Sequence, residues 1–468
     1  MMKKLLVPSL FLLLACFSAS AQLKIGNYTV DTVSIASRLH VPWEILWGPD
    51  DKIWFTERNG KISKVDPVTK QKKVLFTFNN VHEESESGLL GLALHPNFPD
   101  SAFVYTVYTY KTTGILERLV RLTYNPTLDN LGNEKILIDN IKGNTTHDGS
   151  RLKFGPDGKL YMTTGEAQDK PAAQDLTNYN GKILRINSNG SIPSDNPNPN
   201  SHIWSYGHRN PQGLTFGPNG IVYNSEHGEN ENDEINIITK NKNYGWPYVR
   251  GFCDNDFDFD ANASRDEMYY CNLWNPTPPI KRWSPTLATA GLEYYGHTLF
   301  ADFTNSLLLV TLKEQDFRVL KLASDGLTVT SETISLNATF GRLRDICVGK
   351  NGEIYISTSE TDGRGSAINV DDRIIKFTPR QFPTGIDGDE TGIDMKLFPN
   401  PSQGFVRVQG LNEESSLEIS STEGKSILSQ QIKNNEADIS QLSNGYYIYK
   451  IKTNSGVVKT GKLVVSKP

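Results

Sequence analysis

The chain has 468 residues, a formal net charge of −5 and no long basic run, which argues against nucleic acid as a partner. Beyond its first residues no segment approaches the length of a membrane span, so the mature protein is expected to be soluble and to have no transmembrane helix. Only four cysteines occur, too few for a fold held together by disulfides.

Met1, Met2, Lys3 and Lys4 precede the apolar run LLVPSLFLLLA and the small-residue stretch SASAQ, the layout of a secretory signal peptide over residues 1–21, cut after Ala21. The competing reading takes LLAC as a lipoprotein box with Cys16 as the lipidated residue. A phrase then recurs along the chain: GPDDKIWFTERNG from 48, GPDGKLYMTTGE from 155, GPNGIVYNSEHGE from 217 and GKNGEIYISTSE from 349. Each reads as a glycine-centred tight turn followed by alternating apolar and polar residues, which is a hairpin. Between the copies lie further strand candidates, FVYTVYTY, KILRI, LLLVTL and FRVLKL, and helical periodicity is scarce. A short all-β unit repeated over residues 22–380 predicts a propeller, and six blades fit the length. A pair of large sandwiches would not explain one phrase in four places.

Of the cysteines outside the leader, Cys253 and Cys271 flank a short polar loop and could pair, a closure contributing about 3 kcal/mol. Alternatively they are, with Cys347, small buried hydrophobes. Near residue 380 the composition changes. Residues 381–394 read as a Pro/Gly/Asp-rich linker, and residues 395–468 as a second all-β unit, too short for a propeller and therefore a small immunoglobulin-like sandwich.

Residues with chemistry cluster in a few loops. His147 sits in NTTHDGS, before a strand. Arg209 and Asn210, in IWSYGHRNPQGLTF, fall at a strand–loop junction. The stretch SEHGENENDEINI, 225–237, offers carboxylates and carbonyls, hard oxygen ligands that suit Ca²⁺. Lys313 follows the strand LLLVTL, and Arg342 and Arg344 alternate along a strand that aims both to one side. Singly these are a solvated histidine, a polar turn and outward-facing cations. Jointly, at blade ends, they converge, because a propeller gathers such positions at one mouth of its channel.

The wording and order of VPWEILWGPDDKIWFTERNGKI, SGLLGLALHPNF, HDGSRLKFGPDG, GHRNPQGLTFGPNG, DEINIITKNKNYGWP and RLRDI closely resemble the soluble, pyrroloquinoline-quinone (PQQ)-dependent glucose and aldose-sugar dehydrogenases, over most of residues 34–378. The resemblance implies a six-bladed propeller with the quinone on its axis. It also implies oxidation of an aldose C1 hydroxyl to the lactone, with hydride going to the quinone and then to an external electron acceptor. His147 falls on the family's catalytic base, a role suited to an imidazole that titrates near neutral pH. Arg209 matches an arginine that stabilises charge at the quinone oxygens, and Glu166 an acidic residue that orients the site. Asn210, Lys313, Arg342 and Arg344 match groups that hold the cofactor, whose three carboxylates need a cationic cradle. The carbonyls of Gly228 and Glu229 match ligands of the cofactor-bound Ca²⁺, a Lewis acid. Glu234, the Tyr244 carbonyl and Asp254 match part of a second calcium site; Trp283 matches an aromatic that closes over the cofactor, with an ordinary core tryptophan as the alternative.

Two positions depart from the family. Glu86 replaces a cofactor-contacting glutamine, and Thr146 an aspartate. A carboxylate beside an anionic quinone is unfavourable unless protonated or turned away, so Glu86 is expected to line the substrate pocket, and a broad aldose or polyol range is expected over strict glucose specificity. Calcium-dependent propeller lactonases and non-catalytic carbohydrate-binding propellers are the alternatives; neither needs a base together with cations arranged for a tricarboxylate. In the tail, LFPNP, STEGKSIL, LSNGYYIYKI and GVVKTGKLVV resemble the C-terminal sorting domains of Bacteroidetes type IX secretion. That resemblance implies periplasmic transit, the type IX machinery as a partner, and cleavage at Ala21 rather than lipidation.

Overall fold

The phrase that recurs four times closes the same hairpin four times. In each copy the N–H of the first glycine donates to the carbonyl four residues on: Gly48 to Lys52 (2.8 Å), Gly155 to Lys159 (2.9 Å), Gly217 to Ile221 (2.8 Å) and Gly349 to Glu353 (2.8 Å). The computed structural model describes residues 22–254, 266–364, 371–380 and 395–467, less 412, 422–424 and 455–457. The expected leader, 1–21, and linker, 381–394, lie outside the described residues.

Each hairpin begins a blade of four antiparallel strands. Blade 1 runs from Pro42–Trp47 through Ile53–Glu57 and Lys61–Val65 to Lys72–Thr77. Blades 2 to 5 follow in chain order, with innermost strands Leu89–Leu94, Gly149–Phe154, Pro211–Phe216 and Thr289–Tyr295. Blade 6 takes Leu343–Val348, Ile354–Thr358 and Asp372–Pro379 from the end of the repeat and borrows its outer strand, Tyr28–Leu39, from the beginning. That exchange closes the ring, and the short strand Lys24–Ile25 pairs on the outer side of Tyr28–Leu39. The six innermost strands neighbour one another in a closed circuit, which makes this a six-bladed propeller.

Burial follows that geometry. Inner strands such as Leu89–Leu94 are nearly continuously buried, whereas the outer Lys72–Thr77 is mostly exposed. The apolar core lies between blades: Trp54 with Leu89 and Tyr108, Tyr105 with Leu152 and Met162, Tyr223 with Leu292 and Leu307. On the axis Arg151 Nη1 lies 2.9 Å from both Glu44 and Asp345. Burial pushes the Glu44 carboxyl up to about 8 against the pull of Arg151, and the neighbouring Asp345 adds to the rise.

Every innermost strand carries a register shift near its start: between Pro42 and Ile45, Leu89 and Leu92, Gly149 and Leu152, Pro211 and Gly213, Thr289 and Leu292, Leu343 and Asp345. Such bulges bend a strand and re-aim its side chains. Arg151 lies in one of them and donates through Nε to the Gln212 carbonyl at 2.8 Å, and Gln212 and Arg344 lie in two others.

Cys253 and Cys271 are joined in a disulfide, with Cα atoms 5.9 Å apart. It ties an excursion of blade 4 to Glu267–Trp274, the single α-helix among the described residues, which Asp266 caps by accepting the Tyr269 N–H. Cys347 is a buried free thiol.

Contacts divide the chain between Pro379 and Arg380. The second unit packs a three-stranded sheet, Lys396–Phe398, Phe405–Gln409 and Glu436–Asp438, against a four-stranded one built on Ser415–Ser421 and Gly445–Thr453. Alternating residues of both sheets, among them Val406, Val408, Leu417, Ile419 and Ile451, form one core, as in a sandwich.

Candidate active site

In an antiparallel blade the start of the first strand, the end of the second and the start of the third share one end. Glu86, His147 and Arg209 with Asn210 precede first strands; Glu166, Gly228 with Glu229, and Lys313 follow second strands; Arg342 and Arg344 flank the start of Leu343–Val348. The glycine turns occupy the other end. These ten residues therefore reach the same mouth of the ring from blades 2 to 6.

His147 adopts a left-handed conformation, φ 63°, which costs about 1–3 kcal/mol and persists only where neighbours enforce it. Its N–H donates to Glu86 Oε2 at 3.4 Å, its carbonyl accepts the Ala167 N–H at 3.0 Å, and Asn210 Oδ1 holds the next glycine N–H, that of Gly149, at 3.2 Å. Gly165 is required opposite, since a Cβ there would lie 1.7 Å from the His147 carbonyl oxygen. The imidazole Nδ1 meets the buried carboxylate of Glu166. Glu166 is fixed in turn by its own N–H on the Arg209 carbonyl, 2.8 Å away. A carboxylate only accepts, so it holds the proton on Nδ1 and leaves the Nε2 lone pair for a substrate.

Arg209 is buried. Its backbone N–H donates to Glu226, its Nη1 to the His227 carbonyl at 3.1 Å, and its guanidinium lies 5.2 Å from the Trp246 ring. Burial lowers its pKa, with Glu166, Glu229 and Glu86 opposing. Its Nε is buried without a hydrogen-bond partner.

Arg342 and Arg344 share one carboxylate: Asp362 Oδ2 accepts from Arg342 Nη2 at 2.9 Å and from Arg344 Nη2 at 3.2 Å. Burial pushes Arg344 down to about 10 despite Asp362, and the like charge of Arg342 adds to the fall. Arg344 Nη1 also donates to Gln212 Oε1 at 3.0 Å. Lys313, exposed, donates to the Thr286 carbonyl at 2.9 Å.

Asp362, Gln212, His227 and Trp246 escaped the sequence reading. The repeat held the signal for Asp362, because STSETD occupies the place in the fourth phrase that TERNG and TTGEAQD occupy in others, just after a second strand.

Glu86, Trp283 and the expected ligands of a second calcium each have protein partners. The other oxygen of Glu86 pairs with Arg364 at 3.0 Å. Burial would raise its pKa, but His227, Arg364, His147 and Arg344 together hold it below the usual range, as a carboxylate. Trp283 lies on Lys281–Trp283, the outermost strand of blade 4, in the core between blades 4 and 5 with Leu287 and Leu320. Its Nε1 donates to Glu332 at 3.0 Å, so it is not gathered with the His147 group. Glu234 accepts from Gly251 N at 2.7 Å and Asn236 Nδ2 at 2.9 Å, Asp254 pairs with Arg282 at 2.7 Å, and Tyr244 is buried with its hydroxyl on the Ile237 carbonyl. Among the described residues no group of three or more His, Cys, Asp or Glu side chains is placed to hold a metal.

The glucose/sorbosone dehydrogenase family profile matches residues 39–370, and a secretion-system C-terminal sorting domain profile matches 396–466. The chain is 32% identical to quinoprotein glucose dehydrogenase B of Acinetobacter calcoaceticus over 77% of its own length and 93% of the relative's. It is 29% identical to the aldose sugar dehydrogenase YliI of Escherichia coli K12, over 79% and 98%. Among solved structures, the PQQ-bound aldose sugar dehydrogenase of Streptomyces coelicolor superimposes with a TM-score of 0.63 at 29% identity, over 75% of this chain and 98% of that one.

Proposed function

This chain belongs to the glucose/sorbosone dehydrogenase family, and from that premise we propose that it oxidises the anomeric hydroxyl of an aldose to a lactone with His147 as the base. It is a quinoprotein sugar dehydrogenase, and PQQ is its cofactor. One observation carries the reading at the level of residues: two buried guanidinium groups share the single carboxylate of Asp362, and a third, Arg209, keeps a buried Nε unpartnered, all at the mouth that holds the His147–Glu166 pair. Such a cluster of guanidinium donors fits a tricarboxylate.

Arg342, Arg344 and Lys313 would hold the cofactor carboxylates, with Asn210 bracing the histidine loop and Arg209 facing the quinone oxygens. The carbonyls of Gly228 and Glu229 would ligate Ca²⁺; their loop is closed so tightly that a Cβ on Gly228 would lie 1.9 Å from the Glu231 carbonyl oxygen. Glu229 keeps its side chain out of that role, on Lys170 at 2.8 Å and Arg250 at 3.0 Å. Bound there, the quinone supplies a two-electron acceptor and calcium a Lewis acid. His147 Nε2 takes the proton of the C1 hydroxyl, Glu166 stabilises the imidazolium that results, and Arg209 stabilises negative charge that develops beside it. A broad aldose or polyol range with an external acceptor is the reading we adopt.

The sorting domain supports export by type IX secretion. We place periplasmic transit before it, a leader over 1–21, and a linker over 381–394 that leaves the propeller complete without the tail.

The test is reconstitution of the apo-protein with PQQ and Ca²⁺, followed by an aldose and polyol screen with a dye acceptor and a chelator control. The expected result is turnover that requires both additions. Lactone hydrolysis without PQQ would replace the reading by a hydrolase.

A further inference from the structure

The loop that carries His147 runs through left-handed backbone. His147, Gly149 and Ser150 have φ of 63°, 66° and 72°. Two of the three are not glycine, and each such residue costs about 1–3 kcal/mol unless its surroundings over-determine it. Glu86 holds the first and Asn210 the second, as described above. Ser150 lies inside the bulge of the innermost strand of blade 3, between Gly149 and Leu152.

What holds Ser150 comes from the neighbouring blade. Glu117, on Ile115–Asn125, the third strand of blade 2, is 1% exposed, and its Oε1 accepts the Ser150 hydroxyl at 2.7 Å. The same hydroxyl approaches the Asp148 carbonyl at 3.2 Å, so one contact pins both residues that follow the histidine and its glycine. Space forbids other solutions: a Cβ on Gly91, in blade 2, would lie 2.0 Å from the Ser150 carbonyl oxygen. Asp148 is also buried, with Oδ1 on the Asn144 N–H at 2.9 Å and Oδ2 unpartnered. Among the described residues neither Glu117 nor Asp148 forms an ion pair. Two buried carboxyls without a cation do not both ionise, and burial and the nearby Asp148 raise Glu117 well above its ordinary value while burial raises Asp148 to about 7. Glu117 therefore serves as a neutral acceptor, not as a counter-charge.

We propose that Glu117 is a positioning residue for His147: by accepting the Ser150 hydroxyl it holds the bulge of blade 3 in its left-handed form and thereby sets the imidazole on Glu166. The proposal rests on His147 being the base, and the experiment separates the two. Glu117→Ala, Glu117→Gln and His147→Ala are reconstituted with PQQ, kcat and KM are measured per cofactor bound, and the His147 ring signal is followed by NMR in the apo-proteins, assigned by its loss in His147→Ala. Misplacing a reacting group by about 1 Å can cost on the order of 100-fold. Glu117→Ala is accordingly expected to lose roughly 10-fold or more in kcat, with KM and the PQQ titration little changed and the His147 signal moved in the apo-protein. Glu117→Gln, neutral and able to accept the same hydroxyl, is expected to restore most of the rate and the signal.

Unchanged kcat in Glu117→Ala beside an inactive His147→Ala overturns the proposal, as does an equal loss in Ala and Gln. An active His147→Ala instead overturns the base assignment, and the ring signal alone then decides whether Glu117 positions it. Should Glu117→Ala fail to bind PQQ through misfolding, Ser150→Ala removes the hydroxyl without a large cavity; an unmoved His147 signal in that variant overturns the proposal.

Discussion

The two ends of the propeller are built by the same six sheets and obey different rules. At the turn end four blades close with one phrase and one hydrogen bond, Gly48 to Lys52 and its three counterparts. At the other end no two blades present the same set of residues: blade 2 brings Glu86, blade 3 His147 and Glu166, blade 4 Arg209, blade 5 Lys313, and blade 6 Arg342, Arg344 and Asp362. A tight turn is a local backbone problem with few solutions, so it repeats. A site for one asymmetric ligand needs a different group at each point of the ring. The six bulges lie at that second end and supply the irregular backbone from which those groups are aimed.

If the site end carries the chemistry, His147→Ala should have the largest effect, a fall in kcat of roughly 100-fold or more at nearly unchanged PQQ affinity, read by steady-state kinetics and cofactor titration. A variant with near-normal turnover would return the histidine to the status of a loop residue. The turn end should respond differently. Gly158 has φ 71° and open space where a Cβ would stand, so Gly158→Ala should cost about 1 kcal/mol of stability and leave kcat untouched. Denaturant unfolding and kinetics on one sample would check it, and a loss of turnover at unchanged stability would break the contrast between the ends.

The smallest effect belongs to the axis between them. Glu44 in the folded protein holds its proton up to about 8, against an ordinary value of 4.5. Between those values the folded state binds more protons than the unfolded one, so this group's contribution to stability is full at low pH and falls as pH rises towards 8. Glu44→Gln should therefore flatten the decline of Tm between about pH 5 and 8, without abolishing it, because burial also raises the axial Asp345. Parallel slopes for the two proteins would show that Glu44 does not titrate there.

What could be read from the sequence divides along the same line. Alternating strands and glycine turns are periodic, so the hairpins, the blade count and the separate tail were legible, and the strand–loop junctions were enough to point His147, Arg209, Arg342 and Arg344 at one mouth. Partners were not legible. Asp362 reaches Arg342 and Arg344 from a loop 18 residues beyond the second of them, and Arg364 reaches Glu86 from 278 residues away across the ring; chain pattern does not carry contacts of that kind. Trp283 matched a motif by order along the chain, yet its strand is the outermost of its sheet, a position set by the blade's pairing order. The Cys253–Cys271 pairing was one of two readings the sequence left open, and the structure forms it through a helix that carries Cys271.

The central claim is that the buried guanidinium groups of blade 6 form a cofactor cradle. Titration of PQQ into the apo-protein, followed by absorbance for the unaltered chain, Arg344→Ala and Gly158→Ala, tests it most directly. Truncating one member of a buried charge cluster costs on the order of 2–5 kcal/mol in binding, so Arg344→Ala should bind at least about 30-fold more weakly. The unaltered chain and Gly158→Ala should bind alike. Equal affinity in all three proteins, with Arg344→Ala still folded, would contradict the account.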